Sequence, residues 1–265
     1  MFERIVVLLD GSEAAEGAVD PACAIARRVG GKIILLHSIV TEPRRITHVG
    51  YGVIWPDKSI AQLEQEGRDY LEAIRVRLHD PDIVLGIHKA QVDLPHTIKH
   101  AVATANPDLL VVSPKTQSRL DAWLRGNTIA GMLHAASCPL LIVHPKQEFR
   151  KILVALCLSQ RSDAVKSAAA QIGYCLGDQV TLCDTLGMEN LFPREGANRS
   201  PAKRRNVSDQ FLQFASQLRP DLVIVLSDKK AGTRRWPLGT AAEEVFRAMP
   251  CSLLIMPCTR AGMCA

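Results

Sequence analysis

The chain is poor in aromatic residues and contains no long apolar run. Only 5% of its 265 residues are Phe, Trp or Tyr, and apolar stretches such as residues 33–36 and 222–226 are strand-sized. A bilayer-spanning helix needs roughly 20 apolar residues, so no membrane segment is predicted. The opening residues MFER lead into an apolar strand without the basic, apolar and small-residue order of an export signal. We therefore expect a soluble cytoplasmic protein.

The cysteines lack the close CxxC pair that zinc sites usually contain. A cluster of Cys251, Cys258 and Cys264 is therefore not favoured as a metal site. His96 and His100 are four residues apart on a predicted helix, but no Glu follows His96 and no third ligand is evident. Most of the eight cysteines lie in apolar strand or helix patterns, as structural thiols do: Cys23, Cys138, Cys157, Cys175, Cys183 and Cys251.

The excess of positive over negative charge lies entirely in the second half of the chain. Residues 1–150 carry 17 Lys or Arg and 17 Asp or Glu, whereas residues 151–265 carry 15 and 10, giving a net charge of +5. The excess is concentrated in two basic loops, residues 199–205 and 229–235. Two interpretations of these basic loops stay open: a solvated surface, or a site for an anion or an acidic protein partner. The second would use Lys229, Lys230, Arg234 and Arg235. Nucleic acid is not favoured, because no recognition motif and few aromatic residues accompany the charge.

The two halves repeat one another. An apolar opening strand, a Pro-Asp-Leu strand and an apolar closing strand occur in the same order in each half. The matching segments are IVVLLD at 5–10 with ILVALC at 152–157, NPDLLVV at 106–112 with RPDLVIV at 219–225, and SCPLLIV at 137–143 with PCSLLIM at 250–256. Two domains of one fold are therefore predicted, over 1–147 and 148–265.

The alternation of strands and helices predicts an α/β fold with doubly wound parallel sheets of strand order 3-2-1-4-5. From His37 to the Pro-Asp-Leu signal at Asp108 the first half spans 71 residues, but from Asp184 to Asp221 the second spans only 37. The second domain is therefore predicted to lack its second helix and third strand, leaving about four strands. Removing an edge strand leaves the core intact but exposes surface, so a homodimer is a further expectation.

A ligand crevice is predicted where the strand order reverses, between strands one and four. Asp10 ends strand one and Ser113 ends strand four. A helix opened by Gly126, Asn127 and Thr128 would point its free N–H groups toward the same crevice, which favours a phosphate. This constellation is typical of a nucleotide site.

In these residues and their spacing, the sequence resembles the universal stress protein family in its tandem form. The resemblance covers nearly the whole chain and rests on the strand ending in Asp10-Gly11-Ser12-Glu13, the Pro-Asp-Leu strand, the phosphate loop and the Ser-Cys-Pro closing strand. It implies two universal stress protein domains packed as an internal pseudo-dimer through their closing strands, 140–144 and 253–257.

The resemblance also implies a nucleotide site in the first domain, with departures from the family pattern. Nucleotide-binding members carry a loop G-x2-G-x9-G-[S/T]; the last glycine is retained here, but serine and threonine replace the first two and asparagine replaces the hydroxyl residue. Asp10 matches the carboxylate near the ribose, and Val92 matches the valine whose backbone contacts adenine. The implied site residues are Asp10, Ser12, Val40, Val92, Ser113, Thr116, Gly126, Asn127 and Thr128. In the second domain Cys157 replaces the aspartate, and no ATP site is expected.

Two functions remain open from the sequence. The first is a non-catalytic stress-response binding and regulatory module with a degenerate nucleotide loop, in which Trp55, Trp123 and neighbouring loops close the crevice and the basic loops meet a partner. The alternative is a regulator that binds ATP with magnesium in the first domain, with weak hydrolysis at most. No nucleophile elbow, Walker loop or GxGxxG motif supports a dedicated enzyme.

Overall fold

The computed structural model describes residues 2–40, 44–46, 52–54, 58–90, 102–113, 138–144, 148–156, 163–184, 214–228 and 251–258. By their internal contacts they divide into an N-terminal unit, Phe2–Cys138, and a C-terminal unit, Pro139–Ala265. The sequence-based division into universal stress protein domains at residues 147 and 148 stays a prediction.

The N-terminal unit contains a parallel sheet with helices between its strands. The order is β5-β2-β1-β6, so the predicted order 3-2-1-4 is confirmed. β1 is buried along almost its whole length, as expected for a central strand whose two faces are both covered. The elements are β1 (Arg4–Leu9), α1 (Glu13–Glu16), α2 (Val19–Val29), β2 (Lys32–Val40), β3 (Arg44–Ile46), β4 (Gly52–Ile54), α3 (Ile60–Leu78), β5 (Val84–Ala90) and β6 (Leu109–Val112); residues 102–105 are also helical.

The described part of the C-terminal unit contains four parallel strands in the order β9-β8-β10-β11, with β7 antiparallel to β11. These strands are consistent with a partial domain, and the loss of a helix and a strand stays a prediction. Residues 185–213, where the missing helix and strand are predicted, lie outside the described residues. The elements are β7 (Leu140–Ile142), β8 (Lys151–Leu156), α4 (Asp163–Leu176), β9 (Gln179–Asp184), β10 (Leu222–Asp228) and β11 (Ser252–Cys258); residues 214–218 are also helical.

The two closing strands pair side by side within the C-terminal unit. Leu253 lies opposite Ile142, and the His144 backbone N–H donates to Ser252 Oγ at 2.9 Å. The sequence placed these strands near each other, whereas the pseudo-twofold relation between two domains stays a prediction.

The same aspartate geometry occurs in both units. The Asp108 carboxylate accepts from the Arg4 backbone N–H at 2.9 Å, and the Asp221 carboxylate accepts from the Lys151 N–H at 2.8 Å. The Asp108 N–H donates in turn to the Arg4 carbonyl, and the Asp221 N–H donates to the Lys151 carbonyl. Asn106 and Arg219, each two positions before its aspartate, both have positive φ. Each Pro-Asp-Leu segment therefore joins its strand to the opening strand of its own unit in the same way.

The polar turn at Ser12 and the glycines at 30 and 31 predict one helix that begins near Glu13 and ends at Gly30, but the structure divides it in two. α1 ends at Glu16 and α2 begins at Val19. A proline lacks the helical N–H and its ring collides with the carbonyl four residues earlier, but it is tolerated in the first turn. Pro21 therefore favours a new helix start after Gly17 over a continuous helix.

The segment between β2 and α3 also differs from its prediction. The Pro, Gly and aromatic residues of 41–58 predict a loop, but β3 and β4 pair as antiparallel strands within it. The sequence also predicts a helix from about Asp57, whereas α3 begins at Ile60, because Ser59 forms a capping box with Gln62. The Ser59 hydroxyl accepts from the Gln62 N–H at 3.3 Å, and the Gln62 side chain accepts from the Ser59 N–H at 2.8 Å.

Candidate functional site

A tight turn joins β1 to α1 at the carboxyl end of the sheet. Gly11 has φ of 78°, in the left-handed region that favours glycine. Ser12 then caps α1, because its hydroxyl accepts from the Ala15 N–H at 3.2 Å. The short sequence Asp-Gly-Ser thus determines both the turn and the start of the helix.

The Asp10 carboxylate is exposed and held in orientation by Ser12. The Ser12 backbone N–H donates to Asp10 Oδ1 at 3.1 Å, and Ser12 Oγ donates to the same oxygen at 2.5 Å. Hydrogen bonds to a carboxylate are charge-assisted and stronger than those between neutral groups. The sheet therefore presents an oriented anion at the end of its central strand.

Ser113 lies at the same edge of the sheet. It directly follows β6, which pairs with β1 so that Val7 lies opposite Val111; continuing this register places Ser113 beside Leu9. Its side chain is 7% exposed. Its hydroxyl has no hydrogen-bond partner in the described part of the chain. A buried hydroxyl without a partner costs free energy, which marks Ser113 as a group that a ligand or a water molecule could satisfy.

The structure brings together only part of the predicted site. Asp10, Ser12 and Ser113 follow the adjacent strands β1 and β6, and Val40 ends β2, opposite Ala90 of β5. The remaining predicted groups lie outside the described residues: Val92, Thr116, Gly126, Asn127 and Thr128 of the first-domain site, Cys157, Trp55, Trp123, His96 and His100, and the basic residues Lys229, Lys230, Arg234 and Arg235. Their roles stay predictions.

His37 is a neighbour of this site that the sequence reasoning missed. It lies on β2 opposite Leu9, and its ring packs on the Tyr70 ring with centroids 4.9 Å apart. A Cβ added at Gly67 would lie 2.8 Å from its Cδ2, and one at Gly11 would lie 3.5 Å from its Cε1. The imidazole is therefore wedged between α3 and the turn that carries Asp10. A histidine in an otherwise apolar strand, level with the end of β1, was the available signal.

Burial decides the protonation of His37. Desolvation lowers its pKa below the usual value, although the Asp10 charge and the Leu9 carbonyl act in the opposite direction. Its Nδ1 is buried and makes no hydrogen bond of normal geometry to any described residue. The ring is therefore neutral at pH 7.

A pair of charges connects α1 to α3 next to the ring of Tyr70. Arg77 Nη1 donates to Glu16 Oε2 at 2.9 Å. Burial, followed by the Glu16 carboxylate, raises the pKa of Tyr70. An exposed ion pair of this kind contributes only about 0–1 kcal/mol, so we assign it a role in placing the two helices.

An open groove of about 530 Å³ lies between α3 and β5. Glu64 in this groove accepts from Lys89 at 2.8 Å and from Arg68 at 3.3 Å. The hydrogen bond and charge of Lys89 lower the pKa of Glu64. Because these charges satisfy one another, the groove offers no clear chemistry for a ligand.

The described cysteines behave as structural thiols. Cys23, Cys138 and Cys183 are buried and none is in a disulfide. Burial raises the pKa of Cys23 to about 11 and that of Cys251 to about 12, so neither forms a thiolate at neutral pH.

Among the described residues, no three metal-ligating side chains cluster. No helix in the described ranges is long and apolar enough to cross a membrane.

Comparison with known proteins identifies the family. The model of the universal stress protein family matches residues 1–144, which is more than half of the chain. The chain belongs to the universal stress protein family. The match includes β1, the Asp10 turn, Ser113 and β7.

Individual family members give the same result. Universal stress protein YxiE of Bacillus subtilis (strain 168) is 23% identical over 147 residues, 54% of this chain and 99% of its own. A universal stress protein from Archaeoglobus fulgidus DSM 4304 is 17% identical, covers 98% of this chain and 97% of its own, and has a TM-score of 0.65. An Arabidopsis thaliana family protein solved with AMP bound is 20% identical over 52% of this chain and 89% of its own, with a TM-score of 0.33. The archaeal structure supports the fold. Bound AMP is a property of the plant protein alone.

Proposed function

We propose that this universal stress protein is a cytoplasmic binding and regulatory module whose N-terminal unit binds an adenine nucleotide beside Asp10. The observation that carries the proposal is the exposed Asp10 carboxylate, fixed by two hydrogen bonds from Ser12 at the end of β1. Ligands of open α/β sheets bind beyond the carboxyl ends of the strands, where the strand order reverses. β1 lies at that position, between β2 and β6.

The chemistry of the site fits a nucleoside. A carboxylate accepts hydrogen bonds from neighbouring ribose hydroxyls, and orientation by Ser12 before binding reduces the entropy cost of that contact. Ser113 lies beside β1 with a buried hydroxyl that could donate to a phosphate oxygen. ATP with magnesium, ADP and AMP all present these two kinds of group, so the proposal is for the class.

We also propose that the chain is a tandem of two family domains that form an internal pseudo-dimer. The repeated aspartate geometry of Asp108 and Asp221 supports this arrangement. The four parallel strands described in the C-terminal unit are those that a shortened second domain would keep. Further association into a homodimer would cover an exposed sheet edge.

A second candidate function is a protein-interaction scaffold without a nucleotide. Ser113 favours it, because the family's nucleotide-binding loop has glycine at this position and the serine side chain is almost wholly buried. Any side chain there restricts how closely the backbone can approach a phosphate. The scaffold would use the basic residues Lys229, Lys230, Arg234 and Arg235 to meet an acidic partner.

Calorimetric titration with AMP and with ATP plus magnesium tests the proposal. Asp10→Ala should abolish saturable binding, whereas Asp82→Ala should bind like the wild type. Asp82 is a matched control, since it is exposed and precedes β5 at the amino end of the sheet. Ser113→Gly combined with Thr116→Gly should increase affinity if the site is an eroded nucleotide site. No binding by the wild type or by this double variant at millimolar nucleotide would favour the scaffold.

A further inference from the structure

His37 connects the nucleotide edge of the sheet to helix α3. Its ring is held on one side by Tyr70 and Gly67 of α3 and on the other by the Gly11 turn. The charge of Asp10, which precedes Gly11 in the same turn, acts to raise the pKa of the ring. The imidazole therefore contacts the turn that carries the carboxylate that we assign to the ribose.

The other charged groups around His37 are already engaged or face solvent. On α1 and α3, Glu16 is paired with Arg77. On β5, whose Ile87 lies opposite His37, the nearest cation is Lys89, which is paired with Glu64. Other titratable groups on these elements are Tyr70, which packs on the ring, the buried His88 of β5, Cys23, which α2 buries, and the exposed α2 residues Asp20, Arg27 and Arg28.

We propose that His37 makes ligand binding at Asp10 sensitive to pH, because the protonated imidazole competes with the ribose hydroxyls for the Asp10 carboxylate. The inference rests on the proposed function and adds regulation to the same site. A neutral ring leaves the carboxylate to the ligand. A protonated ring needs an acceptor for each N–H, and Asp10 is the anion whose charge reaches it. Acidification therefore weakens binding.

The size of the effect follows from linkage. If the ligand binds only the form with neutral His37, the dissociation constant increases about tenfold for each pH unit below the pKa of His37 and is constant above it. Adenosine is the appropriate probe, because phosphate groups of AMP themselves titrate near pH 6. It still presents the ribose hydroxyls that would contact Asp10.

The experiment measures adenosine affinity by calorimetry across the acidic range for wild type, His37→Asn and His79→Asn. His79 is a matched control, since it is exposed at the end of α3 and its left-handed backbone, φ 53°, suits asparagine. We expect weakening on acidification in wild type and His79→Asn, and a flat profile in His37→Asn. An unchanged profile in His37→Asn, or tighter wild-type binding in acid, would overturn the inference.

An NMR titration of the histidine ring protons provides a readout without ligand. His37 should titrate below the usual histidine range, and Asp10→Asn should lower its pKa further by removing the nearby anion. If Asp10→Asn leaves the His37 titration unchanged, the coupling is refuted whatever adenosine does. If the coupling is present but neither adenosine nor AMP binds at any pH, the proposed function fails and the regulation fails with it, while the His37–Asp10 interaction stands.

Discussion

Replacing Gly67 by alanine tests the packing that positions His37. A Cβ at this position would lie 2.8 Å from His37 Cδ2 and 2.9 Å from Ile87 Cδ1. The end of the Ile87 side chain can rotate away, but the imidazole is confined by the Tyr70 ring and the Gly11 turn. The substitution should therefore displace His37.

Two opposing terms determine the net effect of Gly67→Ala on the free energy of unfolding. Alanine is about 0.8–1.0 kcal/mol more favourable than glycine inside a helix. Overpacking a core typically costs about 1–3 kcal/mol. We therefore expect Gly67→Ala to lower the free energy of unfolding by between about zero and 2 kcal/mol. At a helix position with room for the Cβ, the same substitution would raise it by about 1 kcal/mol.

Urea denaturation of a double-mutant cycle separates these terms. In the His37→Ala background, where the ring is gone, Gly67→Ala should become stabilising, so the two positions should couple by about 1–3 kcal/mol. Ala73→Gly is the matched control for helix propensity, since Ala73 is exposed on the same helix, and should cost about 1 kcal/mol. Equal stabilisation by Gly67→Ala in both backgrounds would refute the wedged placement of His37.

Three other predictions concern single groups. Ser113→Ala should raise the free energy of unfolding by at most about 3 kcal/mol, because it removes a buried hydroxyl that has no partner among the described residues. A lower urea midpoint for the variant would show that the hydroxyl is hydrogen-bonded in the folded protein. Asp221→Ala should cost about 1–3 kcal/mol, since its carboxylate accepts from the Arg150 and Lys151 backbone N–H groups, and an unchanged urea midpoint would contradict this. Because burial lowers the folded-state pKa of His37, the unfolded chain takes up the proton first, so wild-type stability should fall as pH drops below about 6.5. His37→Asn should remove this part of the acid loss, and an identical pH dependence would refute it.

The strands of the sheet could be predicted from the sequence, but the division between α1 and α2 and the pairing of β3 with β4 could not. Strands such as β1 and β10 are continuous apolar runs, which buried parallel strands require. Their alternation with helices predicted the doubly wound strand order. The split between α1 and α2 was missed because the polar start signal at Ser12 and the glycine stop signal at Gly30 mark only the outer ends of the helical segment. The β3–β4 hairpin was missed because its segment is rich in Pro and Gly.

The candidate site was proposed from the sequence where polar residues follow directly after a strand. Asp10 and Ser113 were proposed because strand ends in a doubly wound sheet share one edge, and Ser12 was added by the resemblance to the family. His37 was not found, since its importance depends on the register of β2 with β1 and on the glycine at position 67 of α3. Such contacts between elements distant in sequence require the three-dimensional structure.

Amide NMR spectra of labelled protein titrated with AMP test the central claim most directly. The proposed site predicts shifts at the backbone amides of Gly11, Ser12 and Ser113, and none at Ile83 and Val84 at the opposite end of the sheet. Asp10→Ala should suppress those shifts. Spectra in which millimolar AMP leaves Gly11, Ser12 and Ser113 unmoved would contradict nucleotide binding at this edge.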